Sequence, residues 1–231
     1  PNGDPVTVQG QPPVVALHVS GGHPSTPLTA GRGPPLRECD RLGPPFVADV
    51  SPLAHMPMPP SLADFTAAER RLIRRLRTPQ LVQAFLNELP YNNEPGPAGE
   101  TLRSFRGVVR HRTAHCLEGA LAAAVILEQH GYPPLVLSFE SIDKLDHVLF
   151  VYRQDGRWGS VARSRDPGLH GRKPVFRTAR ALAQSYFDAY IDFAGCVTAF
   201  AVVDLQKELG GYDWRLSDKN IWKAEQMLID Y

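Results

Sequence analysis

The stretch from residue 113 to residue 166 reads TAHCLEGALAAAVILEQHGYPPLVLSFESIDKLDHVLFVYRQDGRWGSVARSRD, and it decides the fold. Residues 114–129 are dominated by Ala and Leu, which favour a helix, and Gly131 is a typical helix-ending residue. Asp155-Gly156 predicts a hairpin turn, because this pair tolerates the positive φ that such turns require. Strand-like runs follow the helix at 134–139, 147–152 and 158–163. The stretch therefore predicts one central helix followed by an antiparallel meander.

Further helices are predicted on both sides of this stretch. Thr66 and Glu69 form a capping-box pattern, and Thr78-Pro79 is an N-cap followed by proline at the first helical position. Ser217 is the expected cap of the last helix. The predicted helices span 67–77, 79–89, 178–190 and 218–229, and residues 196–205 predict another strand. Because the order is helices, one central helix and then an antiparallel meander with further helices, the predicted class is α+β rather than a doubly wound sheet.

The first 60 residues differ from the rest of the chain. They hold 14 of the 22 prolines and keep neither a helical nor a strand period. Such a composition buries too little apolar surface to offset chain entropy, so residues 1–60 are expected to be a disordered tail and residues 61–231 the folded domain. Patterning begins near Met56, so the residues before it are either upstream sequence read in frame or an ordinary Pro-rich tail.

Charge and cysteine content narrow the classes of function. The chain has 25 basic and 24 acidic residues, a formal charge of +1. It therefore lacks the basic surplus that proteins binding nucleic acid usually have. An arginine-rich helix face at 70–77 has no interleaved aromatic platform and is expected to be solvated. No apolar run reaches about 18 residues, so no membrane span is expected. Cys39, Cys116 and Cys196 are too few for a disulfide framework, which favours a reducing cytoplasm.

Cys116 is the candidate nucleophile because it falls in the first turn of the central helix. The positive end of a helix dipole stabilises a thiolate, and free N–H groups of that turn can bind an oxyanion. His147 opens the second strand, 31 residues later, and is the candidate general base. A third group that orients the imidazole is expected just after the third strand, from Asp166 or Ser164, with Asp166 favoured.

Residues 113–166 resemble the core of bacterial transglutaminase-like proteins, which are related to the papain-like cysteine proteases. In that superfamily a Cys heads a helix, a Gly-Tyr/Ile-Pro turn and a strand follow, and a His opens the next strand before a Trp-containing strand. Cys116, Gly131-Tyr132-Pro133, His147 and Trp158 match this pattern. The resemblance implies a papain-like or transglutaminase-like fold, a Cys-His-Asp mechanism and acyl chemistry on amides.

The chain departs from that family at the third site residue. The family's Asp stands where this chain has Ala162, and Asp166 comes four residues later. Two hypotheses follow: a cysteine hydrolase acting on a peptide, a protein or a small amide, or a degenerate domain that serves as a binding or scaffold module. Hydrolysis is favoured over transfer to an amine, because water is the default acceptor.

Neither a cofactor nor a metal is expected in this domain. His111, His115 and Cys116 are near in sequence, but zinc motifs pair their ligands more tightly. A loop carrying Arg163, Arg165, His170 and Arg172 is a weaker candidate for binding an anion beside the site.

Overall fold

The computed structural model describes residues 59–94, 99–141, 147–190 and 197–231. The Pro-rich tail predicted for residues 1–60 lies outside this range except for Pro59 and Pro60, as do Cys39 and Cys196. The described helices are α1 (Ala67–Arg75), α2 (Pro79–Glu88), α3 (Phe105–His111), α4 (Cys116–Glu128), α5 (Ala179–Gln184), α6 (Leu205–Leu209) and α7 (Trp222–Asp230). The strands are β1 (Leu135–Ser141), β2 (Val148–Gln154), β3 (Arg157–Val161) and β4 (Val197–Asp204).

The four strands form one antiparallel sheet in the order β3-β2-β1-β4. The β2–β3 hairpin turns at Asp155 and Gly156, whose φ angles of 50° and 72° lie in the left-handed region that the sequence predicted. Strand β4, which precedes α6 in the chain, pairs with β1 along its whole length. The predicted α+β class is confirmed, since helices pack against an antiparallel sheet.

Helix α4 is the centre of the domain. Every residue from Leu117 to Glu128 is buried, which fits a helix that is apolar on all sides. Strands β1 and β2 pack on one side of α4, and helices α2 and α3 pack on the other. The predicted end of α4 is also confirmed, because Gly131 follows it with a φ of 83°.

The sheet separates two apolar clusters, as alternation along its strands requires. The cluster shared with α4 contains Val136, Val148, Phe150 and Tyr152 from the sheet. The opposite cluster contains Leu137, Phe139, Leu149 and Val151, together with Ala162, Leu169, Leu182 and Tyr186. His147 stands at the end of the sheet next to this second cluster, with its ring stacked on Phe139.

Several helix boundaries differ from the sequence prediction. The last helix begins at Trp222 and not at Asp218, so the cap predicted at Ser217 is wrong. Residues 217–221 are instead held to the segment before α3: Ser104 Oγ donates to the Ser217 carbonyl, and Ile221 N–H donates to the Leu102 carbonyl. Those contacts use backbone groups that an earlier helix start would need. Helix α5 ends at Gln184, and hydrogen-bonded turns continue to Tyr190.

Candidate active site

Cys116 is the first residue of α4, two residues after the start that the sequence predicted for this helix. His115 precedes it as the N-cap in an extended conformation, with φ −86° and ψ −174°. The main-chain N–H of His115 donates to the Glu118 carboxylate at 3.1 Å, which fixes the first turn. The thiol is half-buried and is not in a disulfide. The side chain therefore stands at the positive end of a buried helix.

His147 is brought to Cys116, as the sequence predicted. Its imidazole lies beside the Cys116 side chain, close enough to lower the pKa of the thiol, and is only 4% exposed. The Nε2 atom lies 3.1 Å from the main-chain carbonyl oxygen of Leu169. A carbonyl oxygen only accepts, so Nε2 carries the hydrogen and Nδ1 is the nitrogen available to the sulfur. The rings of Phe139 and Tyr186 flank the imidazole and complete its burial.

His115 contributes a second imidazole to the same thiol. Its Nε2 atom lies 3.1 Å from the Thr101 carbonyl oxygen. Two carboxylates stand close to this nitrogen: Glu118 Oε1 at 3.8 Å and Glu94 Oε1 at 3.9 Å. The His115 side chain keeps only 15% of its surface exposed. Cys116 thus has a histidine on two sides, whereas the sequence assigned that role to His147 alone.

The two histidines decide the ionisation of the thiol. Although burial opposes ionisation, hydrogen bonds and positive charge from His115 and His147 hold the pKa of Cys116 well below its ordinary value. Burial also opposes protonation of His115, but its hydrogen bond to Cys116 and the charges of Glu118, Cys116 and Glu94 raise the pKa of His115 to about 9. The two imidazoles therefore favour the thiolate form of Cys116.

Tyr91 stands next to Cys116 and was not predicted. Residues 91 and 114 pair as an isolated parallel bridge, which brings the tyrosine to the start of α4. The Tyr91 hydroxyl lies close to the main-chain N–H of Cys116. Burial, followed by the nearby Cys116 thiolate, raises the pKa of Tyr91, so the phenol keeps its proton. Arg163 lies over the Tyr91 ring at 5.4 Å.

Glu118 is a second residue that the sequence analysis missed. Its carboxylate is fully buried and accepts from the N–H groups of His115 and Arg103, at 3.1 and 2.8 Å, and from Asn92 Nδ2 at 3.1 Å. One side chain therefore joins the start of α4 to the segments that carry Asn92 and Arg103. The sequence signal was available, since a Glu three residues after an N-cap is the capping-box spacing.

Asp166 and Ser164 are not brought to His147. The Asp166 side chain is 46% exposed and pairs with Arg165 at 3.4 Å. Ser164 is buried, and its hydroxyl accepts from the Asp166 N–H at 3.0 Å. The oxygen that contacts His147 Nε2 is the main-chain carbonyl oxygen of Leu169, three residues after Asp166 in the same loop. Ala162, at the family's Asp position, is buried in the apolar cluster beyond the sheet.

The loop that supplies the Leu169 carbonyl is held by Arg172. This guanidinium donates to the carbonyls of His170, at 2.7 Å, and Gly168, at 2.6 Å. It also lies over the Tyr186 ring at 4.1 Å. The Tyr186 hydroxyl in turn donates to the His170 carbonyl at 3.1 Å. The sequence suggested that this loop could bind an anion. In the structure, Arg172 instead holds the backbone of the loop itself.

Arg163 also donates to main-chain carbonyl groups and holds the backbone in place. It donates from Nε and from a terminal nitrogen to the Leu89 carbonyl, at 3.1 and 2.9 Å, and to the Ser164 carbonyl. These bonds tie the end of β3 to the end of α2. Of the arginines in the predicted anion loop, Arg165 is the one that projects to solvent, at 51% exposure.

Within the described ranges, no three His, Cys, Asp or Glu side chains converge in a way that could hold a metal ion. The same part of the chain has no helix with the length and apolar character needed to cross a membrane. Comparison with known proteins gives no assignment: no protein-family model matches the chain, and no curated protein matches its sequence.

Proposed function

We propose that this chain is a thiol-dependent acyl-transfer enzyme that hydrolyses an amide or peptide bond through Cys116 and His147. The observation that carries the proposal is the position of the Cys116 thiol, at the N-terminus of a buried helix and beside two imidazoles that lower its pKa. Nucleophilic cysteine catalysis requires a thiol of low pKa next to a histidine, and one ring nitrogen of that histidine is held by a hydrogen bond to another group.

The reaction proceeds in two stages. The Cys116 thiolate attacks the amide carbon, and the protonated Nδ1 of His147 gives its proton to the departing amine as the C–N bond breaks. A thioester and a neutral imidazole remain. Nδ1 then takes a proton from water, the resulting hydroxide attacks the thioester, and the C–S bond breaks to restore the thiolate and the protonated His147.

Two groups are suited to stabilise the oxyanion in both stages. The main-chain N–H of Cys116 points to the Tyr91 hydroxyl, so an oxyanion entering there would lie near both donors. Burial keeps the Tyr91 phenol protonated, which leaves its O–H free to donate. In this proposal the Leu169 carbonyl performs the orienting role that the sequence assigned to Asp166.

The order of the elements also supports the proposed transglutaminase-like relationship. Helix α4 starts at the cysteine, β1 follows the Gly131 turn, and β2 starts just after His147. The acceptor is proposed to be water, and the compartment a reducing cytoplasm in which Cys116 stays free. The substrate class is a peptide, a protein or a small amide.

The test is formation of an acyl-enzyme on Cys116. The chain carrying Cys39→Ser and Cys196→Ser, with Cys116 as its sole thiol, is mixed with p-nitrophenyl acetate near neutral pH and followed by intact mass. We expect rapid addition of one acetyl group, absent in a further Cys116→Ala variant. With His147→Ala, the acetyl group should remain about 10² to 10⁴ times longer, because no base activates water.

A degenerate domain that only binds a partner is the second candidate. It is favoured by the contact of His147 with a main-chain carbonyl, which stabilises an imidazolium less than a carboxylate does. A native chain that forms no acetyl-enzyme would support this candidate and overturn the hydrolase. A chain that acetylates and turns over would exclude it, and a panel of fluorogenic peptide amides would then identify the substrate.

A further inference from the structure

The two imidazoles at Cys116 have different surroundings, although both contact the same sulfur. His147 is enclosed by Phe139, Tyr186 and the Leu169 carbonyl, and within the described residues no carboxylate forms an ion pair with it. His115 faces the Glu94 and Glu118 carboxylates within 4 Å of its Nε2 atom. Because one histidine has mainly apolar neighbours and the other has two carboxylates, we expect the two imidazoles to differ in how readily they hold a second proton.

We propose that His115 is a permanently protonated counter-ion of the Cys116 thiolate, and that His147 alone exchanges protons during the reaction. This inference rests on the proposed function and adds a second catalytic histidine to it. His115 places Nε2 against the Thr101 carbonyl, which accepts only, and this leaves Nδ1 to face the sulfur. His147 makes the same pair of contacts, so the difference lies in the two carboxylates within 4 Å of His115 Nε2, which favour a second proton on this ring.

The charges around His115 come from several elements. Glu118 belongs to α4 itself, Glu94 to the segment after α2, and Glu225 to α7, where His115 lowers and burial raises the carboxyl pKa. Arg103 offsets part of this negative charge, because its Nε lies 4.0 Å from Glu118 Oε1. Glu100 acts on Glu225 rather than on the imidazole directly. The balance around His115 is negative.

A fixed imidazolium has a consequence for the thioester stage. During the thioester stage His147 stays neutral until it takes a proton from water, and it is charged again when the C–S bond breaks. His115 remains charged through this stage and stabilises the thiolate as the C–S bond breaks. No proton is gained or lost at His115, so the balance of the two-stage reaction is unchanged.

The test is the pH dependence of iodoacetamide labelling at Cys116 in the single-thiol background. We expect native chain to label with a low midpoint, His115→Gln to shift that midpoint upward by about one to three pH units, and His147→Ala to shift it upward by less. His115→Lys should recover part of the low midpoint, because it restores a positive charge. His130→Gln is the matched control, since His130 also contacts a carbonyl through Nε2, that of Ile73 at 2.9 Å, but at the far end of α4.

A second measurement does not depend on changing the helix cap. The imidazole proton resonances of His115 are followed by NMR in native chain and in Glu94→Gln, which keeps an acceptor for the Thr101 N–H. We expect His115 to stay protonated above pH 8 in native chain and to titrate lower in Glu94→Gln.

The proposal is overturned if His147→Ala abolishes labelling at low pH while His115→Gln retains it, or if His115 titrates near its ordinary pKa. Either result leaves the hydrolase standing, because acetyl-enzyme formation is measured separately. Conversely, a low labelling midpoint that depends on His115 but yields no acetyl-enzyme would retain the counter-ion and remove the hydrolase.

Discussion

Gly119 and Arg163 are in direct contact where the end of β3 meets the first turn of α4. A Cβ atom placed on Gly119 would lie 2.7 Å from the Cβ atom of Arg163, closer than two such carbons can pack. Arg163 is fixed in this position by its bonds to the Leu89 carbonyl. The absence of a side chain at residue 119 therefore allows the strand to approach the helix one turn from Cys116.

Replacing Gly119 with Ala should separate β3 from the start of α4. We expect the free energy of unfolding to fall by about 1–3 kcal/mol, because overpacking at a rigid contact forces the backbone to shift. Cys116 labelling near pH 6 should slow as well. Urea denaturation and the labelling rate check both effects. Gly211→Ala is the matched control, since no atom lies within 4 Å of a Cβ there, and an equal loss in both variants would contradict the prediction.

Tyr91→Phe should lower acylation without changing the thiolate. Removal of the hydroxyl takes away one oxyanion donor, so the acetylation rate should fall by about 10²-fold, the usual effect of losing such a donor. The midpoint of iodoacetamide labelling should stay near that of native chain, because His115 and His147 set the pKa of Cys116. Tyr212→Phe is the control, since that ring contacts Lys223 of α7. Acetylation as fast as in native chain would remove Tyr91 from the oxyanion site.

Asp166→Asn should have little effect on turnover, and Arg172→Met a large one. Asp166 is half-exposed and pairs with Arg165, so we expect deacylation to change by no more than about twofold. Arg172 holds the loop that carries the Leu169 carbonyl, and its removal should slow deacylation by about 10-fold or more by loosening His147. The decay of the acetyl-enzyme measures both. A larger loss from Asp166→Asn would return the orienting role to that carboxylate.

Arg215→Met should destabilise the fold in a pH-dependent way. Arg215 forms a two-pronged bond to the buried Glu128 carboxylate, at 2.7 and 2.8 Å, and burial already raises the pKa of Glu128. Without Arg215, the unpaired Glu128 carboxylate should lower the free energy of unfolding by about 3–5 kcal/mol at neutral pH. A carboxyl whose folded-state pKa is raised loses stability as pH rises, so the deficit should shrink on acidification towards pH 5.

Urea denaturation of Arg215→Met across this pH range gives the measurement. The double variant Glu128→Met, Arg215→Met should recover most of the loss, because it leaves no buried charge unpaired. A deficit that is the same at every pH would show that packing, and not the carboxylate, accounts for it.

Sequence patterns predicted most of the local structure because the signals were local. Thr66 with Glu69 caps α1, Thr78-Pro79 opens α2, and Asp155-Gly156 turns the β2–β3 hairpin, each within a few residues of its cause. The placement of Cys116 at a helix start followed from the same kind of local signal. Long-range competition changed one boundary, where the pairing of residues 217–221 with the segment before α3 moved the start of α7.

By itself, the sequence determined the α+β class, the position of Cys116 in the first turn of the central helix and the pairing of that helix with the strand behind His147. Only the tertiary structure decided which groups surround the thiol. The Leu169 carbonyl that contacts His147 is a main-chain group, which every residue carries and no pattern of side chains can mark. Tyr91, Glu94 and His115 meet because the chain folds back over the start of α4, and the charges that act on Cys116 depend on that approach in space.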